Sequence, residues 1–481
     1  MHAARAVARR ELPNLLVAVE GALAAGEPEA VDFVDNVGRF LGVFGLGRDR
    51  ARLLAQAQAA AGPPGSKNWY LSRSGQGEAL FDAGRFAEAA ATFRSLLDAL
   101  DSAPSVKRGN TLVRLARCLR QQGQLADANA TLHQALAETE PLAPSPQVRR
   151  LIAALQSDRA EILLDGGDLD GAAEATAAAL AIARELNDLR SVAVNEFRLG
   201  TISLWRNDLR DAEQRYRTAL ATLQTLGEPE QEASAWHQLG MVLHRAKRWD
   251  QAEAAYRQAA RLKEGRPLAA ATTWQQLAQL LEDTGHLAEA ETWYRKALTA
   301  FRDDGDPANS ARTLSNLATL LRHQPGRLAE ARSSAEQTLV LNETRDPAAA
   351  QIWKTYGLLA NIAAQDGRSE AARAYRAQAR QSFAAAPIAR ETLRRFAPLI
   401  AAVLAALTDP AQRPDLEQGL DDLAQRGGSD LVAALRQVLD GARDTDALCE
   451  PLNFEDSLIV ATTLRALADP STLTALLPEG S

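Results

Sequence analysis

The residues in this 481-residue sequence whose types could do chemistry are badly spaced for it. Gly62-Pro63-Pro64-Gly65-Ser66-Lys67 is the nearest approach to a phosphate loop. It lacks the Gly-Lys-Ser/Thr order and follows a helical stretch rather than a strand, so it reads as a linker. Gly75-Gln76-Gly77 has no third glycine at dinucleotide spacing. Among the six histidines none forms a His-x-x-x-His pair, and the two cysteines, Cys118 and Cys449, have no Cys or His at ligand distance. His237 and His244 share a helical face but stand two turns apart, too far to hold one metal ion. No serine sits in a glycine-flanked strained turn of the kind a nucleophile needs. The sequence therefore predicts no catalytic residues, no metal and no cofactor, and the chain is expected to bind rather than to catalyse.

The elements that would position a binding surface are written as a period. Ala89, Ala128, Ala172, Ala212, Ala252, Ala290, Ala331 and Ala371 recur at a step of about 40 residues. Each follows a short polar turn, such as Gln122-Gly123-Gln124 or Thr284-Gly285-His286, and all but Ala172 are preceded directly by an acidic or amide residue. In Asp250-Gln251-Ala252-Glu253-Ala254-Ala255-Tyr256-Arg257-Gln258-Ala259 the residues Ala252, Tyr256 and Ala259 share one helical face, since positions i, i+4 and i+7 align. The small residue lets two helices approach and the ring fills the next gap. Upstream of the turns, Leu239-Gly240 and Leu277-Ala278 pair a large with a small residue, with Trp236 and Trp274 three residues before the leucines.

Large-small spacing, turn residue, second-helix alanine and aromatic recur together, and in this the sequence resembles the tetratricopeptide repeat family. The resemblance implies an all-α fold, a right-handed superhelical solenoid of helix hairpins with helical N- and C-terminal caps. It divides the chain into an N-terminal helical arm (1–66), eight repeats (67–385) and a C-terminal helical capping domain (386–481). The family's usual step is about 34 residues, so each hairpin here should be longer by about a turn and a half. The arm reads as three helices, the second over Val31 to Phe44 and the third over Asp49 to Ala61. The cap reads as helices Leu393–Leu407, Leu416–Ala424, Leu431–Leu439 and Ser457–Leu467. The arm's Glu11-Leu12-Pro13-Asn14-Leu15 and Ala22-Leu23-Ala24-Ala25-Gly26-Glu27 resemble the helical arm of bacterial signal-transduction ATPases with numerous domains. The tail containing Leu439-Asp440-Gly441-Ala442-Arg443-Asp444 and Asp456-Ser457-Leu458-Ile459-Val460 is similar to tails on such arrays. This resemblance implies the ligand-sensing part of a larger bacterial signalling receptor, whose ATPase is not in this sequence.

In the tetratricopeptide architecture the first helix of each pair lines the inner curve. That mapping places Phe197, Thr201, Leu204 and Trp205 of repeat four on the concave wall, with His237, Met241, His244 and Arg245 of repeat five. Repeat six adds Gln275, Gln279, Glu282 and Asp283, and repeat seven adds Arg312, Ser315, Thr319, Arg322 and His323. Arg117 and Arg120, then Glu161 and Asp165, continue the wall through repeats two and three with alternating sign. Aromatic, Met and Arg side chains are enriched at recognition hot spots, so the expected partner is a protein or peptide in the groove. The alternative is a small molecule or oligosaccharide in a pocket at repeats four and five, around Trp205, His237 and His244. Tyr216, Tyr256, Trp293, Tyr294 and Trp249 are expected to serve packing between repeats.

The totals narrow the partners further. A net charge of -7 without a basic stripe argues against nucleic acid. No apolar run is long enough to span a bilayer, and Glu11 and Glu20 interrupt what would be a signal peptide's apolar region. Sparse cysteine suggests a reducing compartment, and together these point to the cytoplasm. The sequence leaves the oligomeric state open.

Overall fold

The computed structural model describes residues 2–27, 29–43, 46–345 and 350–474, and every regular element among them is helical. Repeat one is the pair Lys67–Asp82 and Phe86–Ala99, repeat two Val106–Gln121 and Leu125–Thr139, repeat three Pro146–Asp165 and Leu169–Glu185. Repeat four is Leu189–Trp205 and Leu209–Leu226, and repeat five Pro229–Arg245 and Trp249–Leu262. Then come Pro267–Asp283 with Leu287–Asp303, Pro307–Arg322 with Leu328–Glu343, and Ile352–Gln365 with Ser369–Ala384. The chain divides into two compact units, Met1–Lys247 and Arg248–Ser481.

One local design recurs along the array, repeat seven excepted, where Gln324-Pro325-Gly326 lengthens the turn and Arg327 N donates to Gln324 O instead. The first helix stops on a residue in the left-handed region, at φ 80° in Gly167 and 83° in Gly285, where a side chain would be strained. The chain then turns back so that Gly167 N donates to Leu164 O and Asp168 N to Leu163 O at 2.8 Å, a Schellman closure that satisfies the free carbonyls. Repeats four and five use Asn207 and Lys247 at that position, φ 62° and 57°. The alanine stands five residues beyond the turn residue and four beyond the residue that starts the second helix, so its N–H closes that helix's first hydrogen bond. Ala89 donates to Arg85 O, Ala212 to Asp208 O, Ala290 to His286 O and Ala331 to Arg327 O, all at 3.0–3.1 Å. All four side chains are fully buried, as are Ala128, Ala172 and Ala252.

Repeat eight departs from the expected register. There Ala372, not Ala371, donates to Arg368 O and is buried, while Ala371 is half-exposed. Glu370-Ala371-Ala372 offers two adjacent alanines, and only the start of the helix at Arg368 decides which points inward.

In unit one, repeats one to three share a core that includes Phe93, Leu112, Leu132 and Leu155, and helices Ala30–Val43 and Gly47–Ala59 pack on repeat one through Leu53 and Leu54. Phe44, expected to end the second arm helix, lies outside the described residues. Beyond the repeats, unit two holds two short α-helices, Thr445–Cys449 and Ser471–Thr474, and, close to the four expected, the longer Pro387–Thr408, Arg413–Leu423, Ser429–Leu439 and Phe454–Ala468. Phe454 from the last of these lies against the glycine face of repeat eight, 2.8 Å from where a Cβ on Gly357 would stand. It also joins Phe383, which meets Trp353 edge-on at 5.5 Å. The exposed end of a repeat array is covered here by an apolar helix, which removes surface that would otherwise seek another copy.

Candidate functional site

In unit one, the first helices of repeats four and five carry the expected aromatic and Met residues. Gly200 leaves room for the Tyr216 ring, whose nearest atom is 3.0 Å from where a Cβ would sit. Tyr216 in turn fixes the wall: Phe197 meets it edge-on at 5.3 Å, and its hydroxyl lies 2.9 Å from that of Thr201. Thr201 gives its own proton to the Phe197 carbonyl at 3.2 Å, so Tyr216 is the donor to Thr201. Burial pushes the Tyr216 phenol up to about 12, only partly opposed by Thr201, so it stays protonated as that donor requires. Phe197 and Thr201 are thus half-buried and held, whereas Trp205 is 56% exposed at the end of the same helix. His237, Met241 and His244 are half-buried on the neighbouring first helix. Arg245 is exposed, and its guanidinium donates to Leu204 O at 3.2 Å and Asn207 Oδ1 at 2.9 Å. Two repeats are therefore tied together beside Trp205.

The charges of repeats two and three are arranged differently from the expected alternating wall. Arg114 donates to Glu78 of repeat one at 2.8 Å, and Arg117 to Asp158 of repeat three at 2.8 Å. Arg120 pairs with both Glu161 and Asp165, and Arg198 of repeat four takes the other oxygen of Glu161 at 2.7 Å. These form an ion-pair ladder along consecutive first helices, each charge satisfied by the next repeat. Burial pulls the Arg120 guanidinium down, but Asp165 and Glu161 outweigh it and raise its pKa overall. Asp158 is buried, which pushes its carboxyl up against the opposing pull of Arg117. The larger cavities described in this unit, about 500 Å³ and 230 Å³, lie at the arm and at repeats one and two.

In unit two, the expected residues separate. Gln275 is only 3% exposed and offers no surface to a ligand, a correction to its place on the wall. Spacing sets the direction a side chain leaves the helix, but coverage is set by what packs over that turn. Gln279 and Arg312 are exposed, Thr319 is half-buried with its hydroxyl given to Ser315 O at 3.0 Å, and Arg322 is half-buried.

A cleft that the sequence reading missed opens between the second helices of repeats five and six. Its volume is about 700 Å³, and Trp274, Trp293, Lys296, Arg257 and Arg261 are among its lining. The indole centroids are 6.3 Å apart, and the Lys296 ammonium sits over both, 4.2 Å from Trp274 and 4.9 Å from Trp293. Trp293 is turned by its N–H to Glu289 at 3.1 Å, and Arg257 is held by Glu253 and Glu289. The available signal was Trp293 and Lys296 three residues apart on one helical face.

Burial pushes the Cys118 thiol up to about 11 and raises Cys449 as well, so neither is a ready thiolate. Among the described residues no group of His, Cys, Asp or Glu could hold a metal ion, and no helix is long and apolar enough to cross a membrane.

A tetratricopeptide repeat family model matches residues 190–265, 231–303 and 268–344, and a second tetratricopeptide repeat model matches 80–155. No curated protein matches the sequence. Among solved structures, the apo form of RapI is 10% identical with a TM-score of 0.57, covering 73% of this chain and 97% of that one. The apo form of the quorum sensor NprR from B. thuringiensis is 12% identical with a TM-score of 0.53, covering 74% and 99%. A signal-transduction ATPase with numerous domains and a tetratricopeptide repeat sensor, from Pyrococcus horikoshii, is 14% identical with a TM-score of 0.51. The match covers 69% of this chain and 52% of that protein, so this chain accounts for about half its length. At these identities the likeness concerns the fold. With the hairpins, buried alanines and turns described above, residues 80–155 and 190–344 are tetratricopeptide repeats.

Proposed function

We propose that this chain is a non-enzymatic binding module that recognises a protein or peptide on its first-helix faces and serves as a sensor or scaffold in bacterial signalling in the cytoplasm. The observation that carries the reading is Trp205, a large indole left 56% exposed on a first helix. Beside it is Arg245, anchored through Leu204 and Asn207, one helical turn after half-buried Met241. An exposed aromatic next to a fixed cation is the composition that carries most binding energy at protein interfaces. Tyr216, Thr201 and Phe197 hold the helix beneath it, so the surface is presented by rigid elements. In unit two, Gln279, Arg312, Thr319 and Arg322 form a separate, more polar first-helix face that we assign to the same use. The sensors named among the similar structures share this fold, which supports a sensing role, and the proposed context is the sensor portion of a larger receptor.

The test uses peptides selected from a display library on the full chain, with affinities measured by titration calorimetry. Trp205→Ala should weaken the selected peptides at least tenfold while leaving the thermal unfolding curve in place. Phe197→Ala should weaken binding and also lower the unfolding temperature, because it loses its contact with Tyr216. If peptides bind Trp205→Ala as tightly as the parent chain, this face is not the recognition surface.

A further inference from the structure

The cleft at repeats five and six is lined mainly by their second helices, with Pro267 and Trp274 from the first helix of repeat six, and shares no residue with the first-helix faces proposed above. Its charge is unmatched. Arg257 is committed to Glu253 and Glu289, but the Arg261 guanidinium and the Lys296 ammonium meet no carboxylate among the described residues. Glu264 is the one acidic residue in the lining. An ammonium parked on two indoles has one side against the rings and its outer side open, and Lys296 is itself exposed.

A second cleft of about 490 Å³ occupies the same place one repeat on, where Gly305 and Pro307 take the positions of Gly265 and Pro267. It is floored by Leu341 and by Val340, which is 62% exposed. Here the lysine is gone: Gln337 stands where the first cleft has Lys296, and it accepts from Arg302, the one cation of this lining, at 2.6 Å, while Asp306 and Glu336 stand at the rim. One cleft is thus cationic and aromatic, and the next, one repeat on, offers an apolar floor in Val340 and Leu341.

The geometry points to a second binding site on this outer face for an extended acidic segment of another protein. It would place a carboxylate between Lys296 and Arg261 and a nearby apolar side chain on Val340 and Leu341. A single small anion would fill only the first cleft and leave the second unexplained, so continuity over two repeats favours a polypeptide.

The experiment pans a random dodecapeptide display library on the full chain carrying Trp205→Ala, so that the first-helix face of unit one does not dominate. Clones that also bind the chain carrying Trp205→Ala, Lys296→Met and Arg261→Gln are discarded. The survivors are expected to carry Asp or Glu with an apolar residue a few positions away. As synthetic peptides they should weaken at least tenfold when that acid is changed to its amide, and at least tenfold on Lys296→Met. Lys296→Arg should keep most of the affinity, and Val340→Asp should lose at least fivefold. Helix content and unfolding temperature of each variant are recorded, so a loss of binding with a loss of fold is not counted. The proposal is overturned if the survivors show no acidic enrichment, if no clone survives the counter-selection, or if Val340→Asp changes nothing. It is likewise overturned if benzoate or indole-3-acetate displaces the peptides completely at comparable concentration, which would make the cleft a small-molecule site. Since Trp205 is already removed, failure here is separate from failure of the first-helix reading.

Discussion

The ion-pair ladder of repeats one to four and the Lys296 cleft of repeats five and six are built from the same residue types with opposite results. In the ladder every arginine finds a carboxylate one repeat away: Arg114 with Glu78, Arg117 with Asp158, Arg120 and Arg198 with Glu161. In the cleft Lys296 rests on two indole faces and keeps its charge facing outward. A repeat protein offers a ligand only the charges its own neighbouring repeats have not used, so counting charges along a wall says little until their partners are known.

The sharpest test of this contrast is Glu161→Ala. Glu161 serves Arg120 and Arg198 at once, and the Arg198 side chain is only 14% exposed. Freely exposed pairs are worth under about 1 kcal/mol. A charged hydrogen bond left open at a mostly covered arginine costs more, and a loss of about 1–3 kcal/mol is expected. Urea unfolding at pH 7 reads it directly. A change within error would mean that the ladder is surface decoration, and its charges would then be as available to a ligand as those of the cleft.

A smaller effect comes from the helix starts. The first helices bordering the ladder begin on Ser105, Ser145 and Asp188, whose side chains accept backbone N–H bonds, whereas Arg266 begins the cleft's helix without a side-chain cap. Asp188 accepts from the Ser191 hydroxyl at 2.7 Å and from Ser191 N at 3.1 Å. The Ser191 hydroxyl above all, with backbone N–H groups, holds its carboxyl below the usual range against a modest cost of burial. A lowered carboxylate contributes stability above its unfolded pKa, about 3.9, and loses it as pH falls through the folded value. Asp188→Ala should therefore cost about 1 kcal/mol at pH 7. The gap between variant and parent should narrow steadily below pH 4, measured as urea midpoints across the range. A gap that stays constant into acid would show that packing, not the charged cap, is lost.

The period was legible because everything that makes it is local. A turn glycine, a helix start and an alanine four residues later are read within a dozen positions, and they placed eight hairpins. Even so, Glu370-Ala371-Ala372 misled by one residue, since two alanines in a row leave the inward one undecided. The ladder was not legible, because Arg120 and Glu161 are one repeat apart and both look free in the sequence. Gln275 and Gln279 differ by one helical turn and share a side, yet the first is buried and the second exposed. Direction follows from spacing, but coverage follows from the neighbouring repeat. Trp293 was read as packing, which is half the truth: it lies against Trp274, which is 7% exposed, and Lys296 above both turns that packing into a charged rim.

The smallest expected effect is the most informative about the cleft. Lys296→Met removes the ammonium but keeps a flexible apolar chain over the two indoles, where a thioether also packs favourably. The exposed cation–π contact is worth about 0.5–1 kcal/mol, and the methionine recovers part of it. The net change in unfolding free energy should stay within about 0.5 kcal/mol. Set beside Glu161→Ala, this asks whether the lysine is there for the fold. A cost for Lys296→Met as large as for Glu161→Ala would mean that the ammonium is a structural member of repeat six, no more free than Arg120. A near-neutral result leaves an exposed cation held over two indoles that the fold itself does not need.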